Sequence, residues 1–202
     1  LFYRKGKEVS LFVLRRILLL SLILFLTISG FGQITVIDTI YIGPKAGNGV
    51  WPAAIDIDTM RNIIYTANRY TENVSVIDGI SDSVITTIPV GGALSGISVN
   101  PQTNRIYVSN LGDQGVTVID GNSNSVIDTI DEVGDFIYDI AVNPQTNKIY
   151  VPCSFNHHVL VVDGVSNSII DTIDLDGTVP LGVGINPQIN RIYVASGNVF
   201  VI

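Results

Sequence analysis

"NPQTNRIYVSN", residues 100–110, joins a turn to a strand and recurs as "NPQTNKIYVPC" at 143–153 and "NPQINRIYVAS" at 186–196. A looser copy, "DIDTMRNIIYTAN", occupies 56–68. Aligned on their tyrosines, Tyr65, Tyr107, Tyr150 and Tyr193, the copies are spaced 42, 43 and 43 residues apart. A period of roughly 40 to 47 residues belongs either to four-stranded propeller blades or to helical repeats of the armadillo kind. Residue type separates the two. The segments are short and rich in Val, Ile, Thr and Tyr, with Asn, Gly, Asp and Pro between them, and they lack the 3.6-residue pattern of a helix.

Each period holds four strand candidates, which in the second copy are 96–100, 105–110, 115–120 and 125–131. "NPQTN" sets Pro101 early in a tight turn and Asn104 where a left-handed residue is tolerated, and Asn147 and Asn190 repeat that solution. "DGNSN" turns the third strand into the fourth, with Asp120 placed to accept hydrogen bonds from the turn backbone. Hairpins in series make a meander. Small residues in the first strand (Gly96, Ala141, Gly182, Gly184) suit a crowded axis, apolar middle strands suit packing on both faces, and the polar "IDTI" at 127–130 and 170–173 suits an outer strand. The fold class expected is all-β, a β-propeller of four-stranded antiparallel blades. Its repeats run approximately 35–78, 79–120, 121–163 and 164–202.

The segment before the repeats is of another kind. Arg4, Lys5, Lys7, Arg15 and Arg16 precede the apolar run "ILLLSLILFLTI" at 17–28, and the small-residue stretch "SGFGQ" follows it. This is the plan of a secretory signal peptide, assigned to residues 1–32. A membrane anchor is the other reading, but the run is shorter than the roughly 20 residues that span a bilayer. The chain has 11 Lys+Arg and 18 Asp+Glu; without residues 1–32 the balance is 6 against 17, a net charge of -11. Such acidity repels phosphate backbones and argues against nucleic acid as a partner. Cys153 is the one cysteine, so no intramolecular disulfide can form. "TVIDTIYIG" at 35–43 repeats the fourth-strand pattern and is placed to complete a last blade whose own sequence stops at "NVFVI". Four blades could close by themselves; the reading adopted is an arc of a larger ring.

The unit "IPVGGALSGISVNPQTNRIYVSNLGDQGVTVIDGNSNSVIDTI", centred on "YVSN" at 107, resembles the YVTN-family β-propeller repeat. Its other signatures read "YTAN" at 65, "YVPC" at 150 and "YVAS" at 193, so none is literally YVTN. The resemblance implies an exported propeller of the surface-layer type. Such a protein is secreted, periplasmic or on the cell surface, and serves as a binding or structural module. Related propellers include lactonase-like hydrolases and cofactor-bearing oxidoreductases, so an extracytoplasmic enzyme is the alternative.

The copies disagree most in the loops of one end, where binding is expected. Those loops are "GPKAGNGVWP" (43–52), "NRYTEN" (68–73), "NLGDQG" (110–115), "EVGDFIY" (132–138) and "CSFNHH" (153–158). Trp51, Arg69, Tyr70, Phe136, Tyr138, His157 and His158 are the candidate ligand-binding residues, expected around one entrance and suited to a protein, peptide or glycan. No catalytic residue, metal site or cofactor is assigned. His157 and His158 are adjacent and so point apart on an extended chain, and "DGNSNS" lacks the sixth-position Gly and distal Glu of a calcium loop. Asp113, Asp135 and Asp139 break the repeat but have no evident basic or nucleophilic partner in sequence. Pro152 is expected to mark a local end of strand pairing.

Overall fold

A computed structural model describes residues 38–42, 51–111, 115–134 and 136–202. The segment 1–32, expected to be a signal peptide, and the loop 43–50 lie outside the described residues. Among the described residues, fifteen strands follow one another from residue 52 onward. The first sheet is the meander β1 (Pro52–Asp58), β2 (Ile63–Asn68), β3 (Asn73–Asp78) and β4 (Ser83–Pro89). The second is β5 (Leu94–Asn100), β6 (Arg105–Asn110), β7 (Gly115–Asp120) and β8 (Ser125–Ile130). The third is β9 (Ala141–Asn143), β10 (Lys148–Cys153), β11 (His158–Asp163) and β12 (Ser168–Asp174). The fourth is β13 (Gly182–Asn186), β14 (Arg191–Ser196) and β15 (Asn198–Val201). All pairings are antiparallel, and the sheets are arranged as the blades of a β-propeller.

The turn chemistry expected from the sequence is present. Asn62, Asn104, Asn147 and Asn190 all lie in the left-handed region, at φ of 56°, 53°, 52° and 50°. Asn accepts this conformation at lower cost than most residues. At the other turn, Asp78 accepts from the backbone N–H of Ile80 and Ser81, and Asp120 and Asp163 repeat the device. The two turns of a blade also touch. Gly121 N donates to Asn104 O at 2.9 Å and Gly164 N to Asn147 O at 2.8 Å. A Cβ on Gly164 would stand 2.7 Å from that same carbonyl oxygen, so Gly follows Asp for want of space.

Between blades the core repeats itself. Tyr65, Ala67, Val74 and Val76 of the first sheet pack against Ile97, Val99, Ile106 and Val108 of the second. Tyr107, Val116 and Val118 meet Ile140, Val142, Ile149 and Val151 in the same manner, and Tyr150, Val159 and Val161 meet Val183, Ile185, Ile192 and Val194. Each buried Val or Ile contributes about 1.5–3 kcal/mol, so the joints between blades carry much of the stability. First strands are also joined by polar groups. The Asp56 carboxylate accepts Val99 N at 2.7 Å, Ser98 Oγ accepts Val142 N at 3.1 Å, and Asp139 Oδ2 accepts Val183 N at 2.9 Å. Asp139, one of the acids that break the repeat, therefore links two blades.

Three expectations need amendment. Gly96 is crowded as expected, its missing Cβ falling 2.8 Å from Ser109 Oγ, but Gly184 has open space because no blade packs beyond β13 among the described residues. Residues 38–42, the described part of the expected fourth strand at 35–43, carry no strand, and the fourth sheet has three strands among the described residues. Pro152 ends pairing on one side only. The β9–β10 ladder stops at Tyr150↔Ala141, whereas β10–β11 continues through Pro152↔Val159 to Cys153↔His158. Proline lacks one N–H, so one ladder is interrupted and the other kept.

Candidate functional site

The meander sends the β2–β3, β6–β7 and β10–β11 loops to the same end as the β4–β5, β8–β9 and β12–β13 connections. The opposite end holds the uniform Asn and Asp turns. In the second blade Ser109 pairs with Gly96, but the equivalent Pro152 leaves residue 139 unpaired, and 131–134 and 136–140 carry no strand. Val133, Ile137 and Ile140 point inward into the joint between the second and third blades, while Phe136 and Tyr138 alternate outward. The connection is tied down by Cys153 Sγ, which donates to Val133 O at 2.7 Å, and by Ser95 Oγ, which donates to Ile137 O.

Phe136 and Tyr138 form one wall of a cleft of about 360 Å³ whose other lining residues are Ser154, Phe155, His157, Val179 and Leu181. Three rings face one another here. Phe136 stacks on Phe155 with centroids 5.2 Å apart, and Tyr138 lies 6.4 Å from Phe136. Phe136 (φ 55°) and His157 (φ 58°) both sit in the left-handed region, a cost the surrounding packing sustains. The opposing wall, Val179 and Leu181, is anchored on both sides. Thr178 bonds to Leu175 O through its N–H and its hydroxyl, and Leu181 N donates to Ala195 O at 2.9 Å.

Two polar groups of the cleft are engaged within the fold. Ser154 Oγ donates to Pro180 O. His157 Nδ1 lies 3.1 Å from Thr178 O; a carbonyl can only accept, so Nδ1 carries a proton and donates there. The cleft therefore offers apolar surface with few directional donors.

Of the seven residues singled out in the sequence, Phe136, Tyr138 and His157 line this cleft, and Trp51, Arg69, Tyr70 and His158 do not. Trp51 and Tyr70 pair edge to face 5.7 Å apart, and Arg69 N donates to Trp51 O at 3.0 Å. His158 opens β11 opposite Cys153. Burial pushes the Cys153 thiol up to about 12, against the thiolate that metal ligation requires. Among the described residues no three His, Cys, Asp or Glu side chains converge. Val179 and Leu181 were not singled out, although their connection, 174–182, occupies the same place in its repeat as 131–140 does in the one before, which is the signal that would have found them.

No protein-family model and no curated protein matches the chain. Solved structures do match it. Kuenenia stuttgartiensis hydrazine synthase overlays with a TM-score of 0.68 at 22% identity, over 76% of this chain and 44% of that one. The structure of U3-55K overlays at 0.67 and 13% identity, over 77% of this chain and 50% of that one. The WD40 repeats of RRP9 also overlay at 0.67 and 13% identity, over 77% and 49%. At these identities the likeness establishes the propeller fold alone. The chain spans about half the length of the structures it matches.

Proposed function

We propose that this is an exported β-propeller of the YVTN type that works as a binding module, holding an apolar side chain of a protein or peptide in the cleft at its variable end. The observation that carries the reading is the cleft itself, with three aromatic rings and two aliphatic side chains around about 360 Å³. Pockets that bind are concave and mostly apolar, with a few fixed polar groups. A glycan needs directional partners for its hydroxyls, and here Ser154 Oγ and His157 Nδ1 are committed to Pro180 O and Thr178 O. A peptide side chain needs only the walls. Export is supported by the basic and apolar pattern of residues 1–32, and the acidic remainder suits a soluble extracytoplasmic domain.

Titration of the full chain against a peptide library, followed by intrinsic tyrosine and tryptophan fluorescence, tests this. Phe155 is 68% exposed, so Phe155→Ala leaves the fold intact. It should weaken binding at least about tenfold, as loss of a central aromatic anchor does. Binders unaffected by Phe155→Ala, or recognition of glycans alone, would refute the peptide reading.

A further inference from the structure

The three segments that form the cleft carry charge of one sign. Residues 131–140 hold Asp131, Glu132, Asp135 and Asp139, residues 174–182 hold Asp174 and Asp176, and neither these connections nor 153–158 contains a Lys or Arg. Asp131, Glu132, Asp174 and Asp176 are exposed. Bases are placed elsewhere. Arg61, Arg105, Lys148 and Arg191 stand at the Asn turns of the opposite end, where Arg61 is spent on Asp58 and Pro101 O and Arg105 on Gly164 O. Arg69, the one Lys or Arg in the described loops of the variable end, lies in the first blade with its N–H on Trp51 O.

The acids stand close to the apolar walls. Asp176 is three residues from Val179 and Glu132 four from Phe136, so even fully extended chain would separate them by at most about 10 and 14 Å. Asp139 follows Tyr138 directly, but its carboxylate is committed to Val183 N. Asp174 accepts Asp176 N through Oδ1, and among the described residues no salt bridge reaches any of the four exposed acids. Uncompensated carboxylates on a rim attract cations over about 10 Å at 0.1 M salt, and over longer distances at lower salt.

We propose that the partner of this cleft is a basic peptide segment. An apolar side chain enters between the aromatic and aliphatic walls, and lysines or arginines on either side of it meet Asp131 and Glu132 on one connection and Asp174 and Asp176 on the other. An extended peptide advances about 3.3 Å per residue, so bases two to four places from the anchor cover the distance at which the acids stand from the walls. The inference rests on the cleft as a peptide site and adds what selects the peptide. The walls take the anchor, and the rim favours basic neighbours and rejects acidic ones by like-charge repulsion.

The test titrates the full chain against three short labelled peptides, each with a central phenylalanine flanked on both sides by two lysines, two serines or two glutamates, and reads fluorescence anisotropy. At about 20 mM salt the lysine peptide should bind about 10- to 100-fold tighter than the serine peptide, since each surface pair is worth about 1.4- to 5-fold, and the glutamate peptide should bind weakest. The gap should narrow severalfold at about 300 mM salt. Asp131→Asn, Glu132→Gln, Asp174→Asn and Asp176→Asn together alter exposed side chains; they should close the gap to less than about threefold and leave the serine peptide unchanged. Asp82→Asn removes a charge from an exposed left-handed turn position at the opposite end and should change nothing. Equal binding of the lysine and serine peptides, a gap that survives the four substitutions, or one reduced as much by Asp82→Asn as by Asp176→Asn overturns the proposal, while the cleft stands as a peptide site provided that Phe155→Ala still weakens the serine peptide. Binding by none of the three, or a Phe155→Ala variant that binds all three as the wild type does, means that the cleft reading itself has failed and this one with it.

Discussion

The asparagine ladder between blades breaks at one rung, and substituting the residues there makes a sharp test of how the joints are held. Asn104 is buried and its Nδ2 donates to Asn122, but its Oδ1 has no partner. In the later blades the equivalent oxygen receives the amide of Asn100 or Asn143; in the first blade that donor position is Asp58, a carboxylate with nothing to donate. Arg61 takes over the linkage. Its Nη1 lies 2.8 Å from Asp58 Oδ2 and 2.8 Å from Pro101 O of the next blade. Replacing Arg61 by Thr, as at 103 and 146, leaves a fully buried carboxylate with two backbone donors and no counter-charge. Loss of one partner of a buried pair costs about 3–5 kcal/mol. Arg61 is itself partly exposed, so about 2 kcal/mol is expected here. Asp58→Asn keeps both backbone bonds and supplies Asn104 with its donor, a net gain of about 0.5–1.5 kcal/mol against an ion pair worth less than about 1. On that background Arg61→Thr should cost only about 0.5–1 kcal/mol, for the bond to Pro101 O. Urea unfolding of wild type, both single variants and the double variant measures the coupling, expected at about 1–1.5 kcal/mol. Equal cost of Arg61→Thr on both backgrounds, or loss of more than about 1 kcal/mol with Asp58→Asn, would refute the compensation.

Acid should weaken the fold through its turns. Hydrogen bonds from Ser81 and Ile80 hold Asp78 below the ordinary carboxylate value, and the Ser166 hydroxyl and backbone do so for Asp163. At Asp120 burial pushes upward, but the bonds from Ser123 and Asn122 together outweigh it. A depressed folded value gives stability that is complete above the unfolded value of about 3.9 and lost as pH falls through the folded one. Melting temperature should therefore fall below about pH 4, and replacing all three by Asn should flatten that limb; an unchanged limb would count against the turn carboxylates. Cys153, buried and with its thiol pushed up to about 12, should resist a disulfide reagent at neutral pH and react in urea. Rapid labelling of the folded protein would mean that the joint beside Val133 opens readily. Gly164→Ala should cost about 1–3 kcal/mol, since its methyl meets Asn147 O at 2.7 Å, whereas Gly184→Ala meets nothing within 4 Å and should be nearly neutral by urea unfolding.

The blade was legible in the sequence because each of its problems is solved by residue type. A left-handed turn residue is Asn at 62, 104, 147 and 190, a turn acceptor is Asp at 78, 120 and 163, and the middle strands are apolar on both faces. The cleft was legible only in part. Phe136, Tyr138 and His157 stood out as departures from the repeat, but Val179 and Leu181 are ordinary aliphatics whose exposure depends on how 174–182 is tied to Thr178 and Ala195. Pro152 was visible, and its effect was not. Which of its two ladders would break depends on which way the missing N–H points.

The ends of the succession show where reading residue types reaches its limit. Ile55 and Ile57 repeat Ile97 and Val99 in chemistry and register, so hydrophobic pattern assigns all four to a core. Two are buried and two are exposed because, among the described residues, only one pair has a blade in front of it. A pattern reports which face a side chain is built to cover; it does not report what covers it. In an array where every unit carries both halves of one joint, a half with no described blade in front of it is where sequence pattern and surroundings disagree.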